Sequence, residues 1–202
     1  KKSRRRKEKG EELKSYIDSL KTVKKGLLKG TPTFLTIKKY RCFLNNGQTI
    51  IREKLFKGKG NGKASIVLPI TDQNTVILTV QPRVFTKSTI GISLPAGYVE
   101  KNEKHKDAAK RELLEETGYL SNKLIEVVEY YQDDGIGAAL NKGFVALNCG
   151  KVADQVLDES EFIKFFECTI DELMELYEKG YILDGGSQLV IEIAKNYLKE
   201  RR

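Results

Sequence analysis

An α/β domain built on a mixed sheet is the fold class that this 202-residue sequence predicts. Three observations carry it. Short apolar runs bounded by turn residues recur along the chain, which is the grammar of strands. Helical spacing interrupts them, once centrally and twice near the C-terminus, so the strands have helices to pack on both faces. With 40% of its residues apolar, the chain is long enough to bury a core of ordinary domain size.

Three segments are expected: residues 1–30, 31–62 and 63–202. Lys1 to Gly10 is a charge run, read as a mobile tail. From Glu11 to Leu28, Leu13, Tyr16, Ile17, Leu20, Val23 and Leu27 recur at helical spacing, predicting an amphipathic helix with a basic outer face. That helix is expected to pack on its own domain or on a partner subunit, with binding to a membrane surface or to nucleic acid as the alternative.

After Gly30-Thr31-Pro32-Thr33, the runs Phe34–Leu44 and Gln48–Phe56 flank Asn45-Asn46-Gly47, a strong antiparallel hairpin signal. The glycine-rich Gly58–Gly62 stretch is read as a flexible turn, because no helix follows it and a Gly-Lys-Ser/Thr ending is missing. Ala64–Ile70 and Thr75–Gln81 predict a strand pair, and Gly91–Tyr98 a further strand. A helix-favouring run from Lys104 to Glu116 stops at Gly118.

Leu124–Tyr131 and Gly143–Leu147 read as strands separated by the polar loop 132–142, a length that often carries substrate contacts. Phe162–Cys168 is the last expected strand. Thr169-x-x-Glu172 is a capping box opening a helix to about Glu178, and Ser187–Lys199 predicts a terminal helix after Asp184-Gly185-Gly186. There is no internal repeat.

The formal charge of +8 is unevenly placed. Residues 1–30 hold 12 Lys/Arg against 4 Asp/Glu, whereas the remainder holds 24 of each, so the body gives no reason to expect a nucleic-acid track. Cys42, Cys149 and Cys168 are odd in number and lack any C-x-x-C spacing, which argues against a disulfide framework or zinc site and for reduced thiols. No apolar run is long enough to span a bilayer, and a cytoplasmic protein is expected. Met174 is the sole methionine, so the sequence is expected to lack its native start.

The chemistry concentrates between Gly97 and Tyr119. Glu112, Glu115 and Glu116 lie three and four positions apart on the predicted helix, so three carboxylates share one face. Their mutual repulsion asks for a cation, and hard oxygen ligands select Mg²⁺ or Mn²⁺. Taken with Gly97, Glu103, Arg111 and Gly118 at their spacings, this segment resembles the signature box of the Nudix hydrolases. That resemblance implies an α/β/α sandwich with a mixed sheet, here carrying an extra N-terminal hairpin and amphipathic helix. It further implies that Glu112, Glu115 and Glu116 hold the metal with the Ala96 carbonyl, while Gly97, Glu103, Arg111 and Gly118 are structural. Arg111 is expected to pair with Glu103 and brace the loop against the helix. Tyr119 stands where the family pattern has an aliphatic residue, and is expected to alter packing only. His105 falls at a variable position and is expected to face solvent.

Gln81-Pro82-Arg83 followed by Leu94-Pro95-Ala96-Gly97 resembles the ADP-ribose pyrophosphatase branch of that family. By that resemblance Gln81 and Arg83 bind substrate, Arg83 as a phosphate clamp, and Glu159 or Glu161 in Leu157–Glu161 supplies a catalytic carboxylate. The chain departs from the branch in having no proline after Pro95; the corresponding stretch reads Gln132-Asp133-Asp134-Gly135. In the branch the N-terminal strands pack between subunits, which implies a homodimer with the 34–56 hairpin as its arm. Core packing is the expected role of Tyr40 and Phe43, with stacking of either on a base as the alternative.

The expected function is therefore Mg²⁺-dependent cleavage of the pyrophosphate bond in ADP-ribose or a related nucleoside diphosphate sugar. The alternative within the class is a nucleoside triphosphate or dinucleotide polyphosphate hydrolase. Outside it stands a non-catalytic nucleic-acid-binding module using the basic N-terminal segment, against which all the box carboxylates are present.

Overall fold

The structure, a computed structural model, describes residues 2–21, 23–58 and 61–201. Eight of its strands form one mixed sheet: β3 (Ala64–Thr71), β4 (Thr75–Pro82), β5 (Ile90–Ser93), β6 (Ala96–Tyr98), β7 (Tyr119–Leu120), β8 (Lys123–Tyr131), β9 (Leu140–Lys151) and β10 (Lys164–Thr169). The main path runs β10-β4-β3-β9-β7, with β5 beside β4, β6 beside β3 and β8 beside β9. β3 and β9 run parallel at its centre, and the other neighbours run antiparallel.

Period-two alternation on the central strands builds the layers. Val67, Phe144 and Ala146 point to one face, where Ala109 and Leu113 of α2 (His105–Thr117) cover them. Ile66, Leu68, Val145 and Leu147 point to the other, packed on Leu173 of α3 (Ile170–Glu178), Val190 and Ile191 of α4 (Gly185–Ile193) and Leu198 of α5 (Lys195–Lys199). The result is the expected α/β/α sandwich. Cys149 and Cys168 lie buried one in each layer, and burial pushes both thiols up to about 12, where they stay protonated packing groups.

The Gly91–Tyr98 run is two strands rather than one. At Leu94-Pro95 the chain leaves β4 and crosses to β3: Pro95 has no N–H to give a ladder, its carbonyl accepts from the Val67 N–H at 3.0 Å, and the buried Leu94 N–H donates to Ser187 Oγ at 3.0 Å. The capping box at Thr169 is present in both directions. Asp184 caps α4, accepting from the Ser187 N–H at 2.7 Å, so the terminal helix starts two residues earlier than its apolar spacing predicts and is divided at Ala194. β9 begins at Leu140, which shortens the 132–142 loop.

The N-terminal segment differs most from expectation. Helix α1 runs Lys2–Leu20, so most of the charge run expected to be a tail is helical. Lys, Arg and Glu are good helix formers, which a reading of apolar spacing alone overlooks. The helix ends at Leu20, short of the expected Leu28, and Leu27, expected on its apolar face, is 99% exposed. The hairpin forms as expected, β1 (Leu35–Phe43) pairing β2 (Thr49–Lys57). It rests on the body through the Leu55 N–H donating to the Ile136 carbonyl at 2.7 Å and the Phe34 ring 6.0 Å from that of Tyr98. Tyr40 and Phe43 are not core residues: they are 43% and 77% exposed. A two-stranded ribbon has no second layer to bury its side chains. Lys59 and Gly60 of the expected flexible turn, and Lys1 of the expected tail, lie outside the described residues. Among the described residues no helix is long and apolar enough to cross a membrane.

Leu113 is fully buried at the contact of α2 with the sheet. Its replacement by Ala is expected to cost about 2–5 kcal/mol, measured by chemical denaturation.

Candidate active site

The buried stripe Ala108, Ala109 and Leu113 fixes the rotation of α2, and that rotation turns Glu112 and Glu116 toward β6. Gly118 ends the helix in a left-handed conformation, φ 71°, where an added Cβ would also fall 2.1 Å from the Ala153 carbonyl oxygen. A Cβ at Gly97 would lie 2.0 Å from Glu112 Oε1, so any larger residue there would have to displace that carboxylate. The neighbouring Ala96 N–H donates to Glu116 Oε2 at 3.1 Å. Two carboxylates are thus pressed against the β6 backbone, Glu112 7% and Glu116 3% exposed.

Arg111 sits among the acids. Its Nε and Nη2 donate to the two oxygens of Glu103 at 2.9 and 3.0 Å, the expected brace, and Nη2 also donates to the Tyr98 carbonyl at 2.9 Å. Nη1 goes beyond that expectation, donating to Glu112 Oε1 at 2.8 Å and Glu115 Oε2 at 2.9 Å. The guanidinium holds Glu103 below the usual carboxylate range. Burial nevertheless pushes Glu112 up to about 7, with Arg111 opposing and Glu115 and Glu161 adding to the rise. Burial also drives Glu116 well up, reinforced by the charge of Glu112 and opposed by the Ala96 N–H. Arg111 acting on Glu112 and the charge of Arg83 acting on Glu116 compensate the two buried acids only in part.

Among the described residues no three acidic, His or Cys side chains are gathered closely enough to close on an ion as they stand. Arg111 draws Glu112 and Glu115 to itself. The donor set still fits a hard divalent cation, with buried carboxylate oxygens short of positive charge lying close against the Gly97 backbone.

These groups floor a cleft of about 870 Å³. Gln81 and Arg83, at the end of β4, form one wall, and Asp158, Glu161 and Phe162 form another. Among the described residues no carboxylate stands within ion-pair distance of Arg83. Of the two acids left open by the sequence, Glu161 lines the cleft and Glu159 does not. Glu161 Oε2 accepts from the Asp158 N–H at 3.0 Å, which turns the side chain back along the wall.

Ala96, Gly97, Arg111, Glu112, Glu115 and Glu116 also line the cleft, while Glu103 and Gly118 support it from behind. Tyr119 packs on the α2 layer, 6.1 Å from the Phe165 ring, away from the acids. His105 is half-buried rather than solvent-facing, its Nδ1 3.1 Å from Ser65 Oγ. The cleft further contains Tyr130, Asn141 and Asp184. Asp184 could have been found from its place before Gly185-Gly186; Tyr130 and Asn141 look like ordinary strand residues.

The sequence profile of the NUDIX domain matches residues 60–184. The chain is 31% identical over 168 residues to an ADP-ribose pyrophosphatase of Bacillus subtilis (strain 168), covering 72% of this chain and 90% of that one. It is 31% identical over 150 residues to a methanol dehydrogenase activator of Bacillus methanolicus, covering 74% and 78%. A GDP-mannose pyrophosphatase of Yersinia pestis (strain Pestoides F) is 30% identical over 144 residues, covering 68% and 72%. The crystal structure of an ADP compounds hydrolase shares the fold with a TM-score of 0.70 at 21% identity, covering 86% of this chain and 91% of that one. With the box carboxylates packed on the Gly97 backbone and a profile match across most of the sheet, this chain is a Nudix pyrophosphohydrolase, a member of the Nudix family.

Proposed function

We propose that the protein hydrolyses the pyrophosphate bond of ADP-ribose or a related nucleoside diphosphate sugar, with Mg²⁺ or Mn²⁺ held by Glu112, Glu115, Glu116 and the Ala96 carbonyl. The observation that carries this reading is the pair of buried carboxylates on the cleft floor, Glu112 against Gly97 and Glu116 on the Ala96 N–H. The named activities of the Bacillus subtilis and Yersinia pestis relatives support the sugar-nucleotide class. A homodimer and a cytoplasmic location belong to the same reading. The exposed apolar side chains of the hairpin, Ile37 at 64% among them, support a partner subunit there.

A divalent cation bound here supplies charge neutralisation at the diphosphate and a water that ionises near neutral pH. The chain's own groups do the rest. Arg83, without a carboxylate partner among the described residues, offers its guanidinium fork to a phosphate, and Gln81 orients the substrate beside it. Glu161 keeps Oε2 on the Asp158 N–H and takes a proton from the attacking water at Oε1. Arg111 keeps Glu103 with Nε and Nη2 and holds Glu112 and Glu115 with Nη1 alone, so those two carboxylates would be able to hold a cation without the brace to Glu103 being lost.

Incubation with ADP-ribose and Mg²⁺ is expected to release AMP and ribose 5-phosphate; failure to turn over any nucleoside diphosphate sugar would sink the reading. Glu116→Gln is expected to lower kcat by about 10²- to 10³-fold while the unfolding midpoint holds, because charge is lost where transition-state stabilisation is made. Arg83→Ala is expected to raise KM about tenfold or more with a smaller effect on kcat, read from steady-state kinetics. Glu112 must lose its proton to bind a cation and is held near 7, so Mg²⁺ affinity by calorimetry is expected to rise between pH 6 and pH 8, with protons released.

A further inference from the structure

Helix α1 lies outside the two layers that enclose the core, yet its C-terminal half and the chain just after it touch both segments that border the cleft. On one side, the Tyr16 hydroxyl donates to the Phe162 carbonyl. Lys164 reaches Glu12 at 2.5 Å and stands 5.3 Å over the Tyr16 ring. On the other side, Thr89 Oγ1 donates to the Leu20 carbonyl at 2.6 Å, and Lys25 Nζ donates to the Val84 carbonyl at 2.7 Å. Leu20 is buried between them. Each contact is one step from a cleft residue. Phe162 follows Glu161, and the Thr89 carbonyl accepts the Arg83 N–H at 2.8 Å.

We propose that α1 is a brace across the mouth of the cleft, in which Tyr16 is a positioning residue that sets Glu161 over the Glu112–Glu116 pair. The segment needs such a tie. The Phe162 side chain is 64% exposed and does not anchor it. The internal bonds of Asp158 with Glu161 shape the turn without fixing its distance from α2. Gln155 and Val156 fix the two ends, Gln155 Nε2 donating to the Glu116 and Ile163 carbonyls at 2.6 and 3.0 Å and the Val156 N–H to the Glu115 carbonyl at 2.9 Å, and they leave residues 158–162 spanning between them. Tyr16 holds that span from outside at the residue adjoining Glu161. The wall bearing Arg83 is tied to α1 by other residues, so loss of the Tyr16 hydroxyl displaces Glu161 and leaves the phosphate clamp in place.

The inference rests on the reading of Glu161 as the group that takes the proton of the attacking water. Its test is a double-mutant cycle in the full chain with ADP-ribose and Mg²⁺. Tyr16→Phe keeps the ring and its packing; it is expected to lower kcat about five- to tenfold, with KM within about twofold and the unfolding midpoint unchanged. In a Glu161→Gln background the same substitution is expected to have no further effect, because the group it positions is already gone. A Tyr16→Phe protein with full kcat, or one weakened equally in both backgrounds, overturns the proposal. A Glu161→Gln protein as active as the parent overturns it too, while leaving the hydrolase reading intact. A parent chain inert toward both ADP-ribose and GDP-mannose removes that reading itself.

Discussion

Much of the molecule exists to hold Glu112 and Glu116 out of water against the backbone of Ala96 and Gly97. Burying two carboxylates side by side is unfavourable in any protein, and here Arg111 beside Glu112 and the charge of Arg83 acting on Glu116 offset only part of it. The rest of the structure is arranged so that the site cannot relax. The Leu113 stripe locks the helix, Gly118 and the Ala153 carbonyl close its end, and the Pro95 crossing fixes the β6 backbone. Protonation is one relief, as the raised Glu112 and Glu116 show; on the proposed reading a divalent cation takes the proton's place and supplies the charge neutralisation that diphosphate hydrolysis needs.

Arg111 links the two conditions of the site. Its bonds to Glu103 and Tyr98 secure the loop before α2, and its Nη1 covers Glu112 and Glu115. The first function is structural and independent of metal. The second uses Nη1 alone, so the carboxylates would be freed for a cation without the loop losing its bonds to Glu103 and Tyr98.

Wherever residues speak through their immediate neighbours in the chain, the fold was legible. Asn45-Asn46-Gly47 announced its hairpin, Thr169 and Glu172 their capping box, and the spacing from Gly97 to Gly118 the carboxylate face. What stayed hidden depends on partners distant in sequence. The continuous apolar run Gly91–Tyr98 conceals a change of strand partner at Pro95, decided by Ser187 and Val67 far along the chain. Glu159 and Glu161 are equivalent letters until the turn through Asp158 places one in the cleft. Tyr40 and Phe43 suit a core by composition, but a two-stranded ribbon offers them none. Helix α1 was read from apolar spacing, whereas its boundaries follow helix propensity and the position of the walls it touches.

The cation requirement is tested most directly by electron paramagnetic resonance with Mn²⁺ and no substrate present. The account predicts that the intact chain quenches the signal of free Mn²⁺, that excess Mg²⁺ restores it, and that Glu116→Gln quenches far less. A signal left unchanged by the intact chain, or quenched equally by Glu116→Gln, would contradict the account that the carboxylate floor is built to receive a divalent ion.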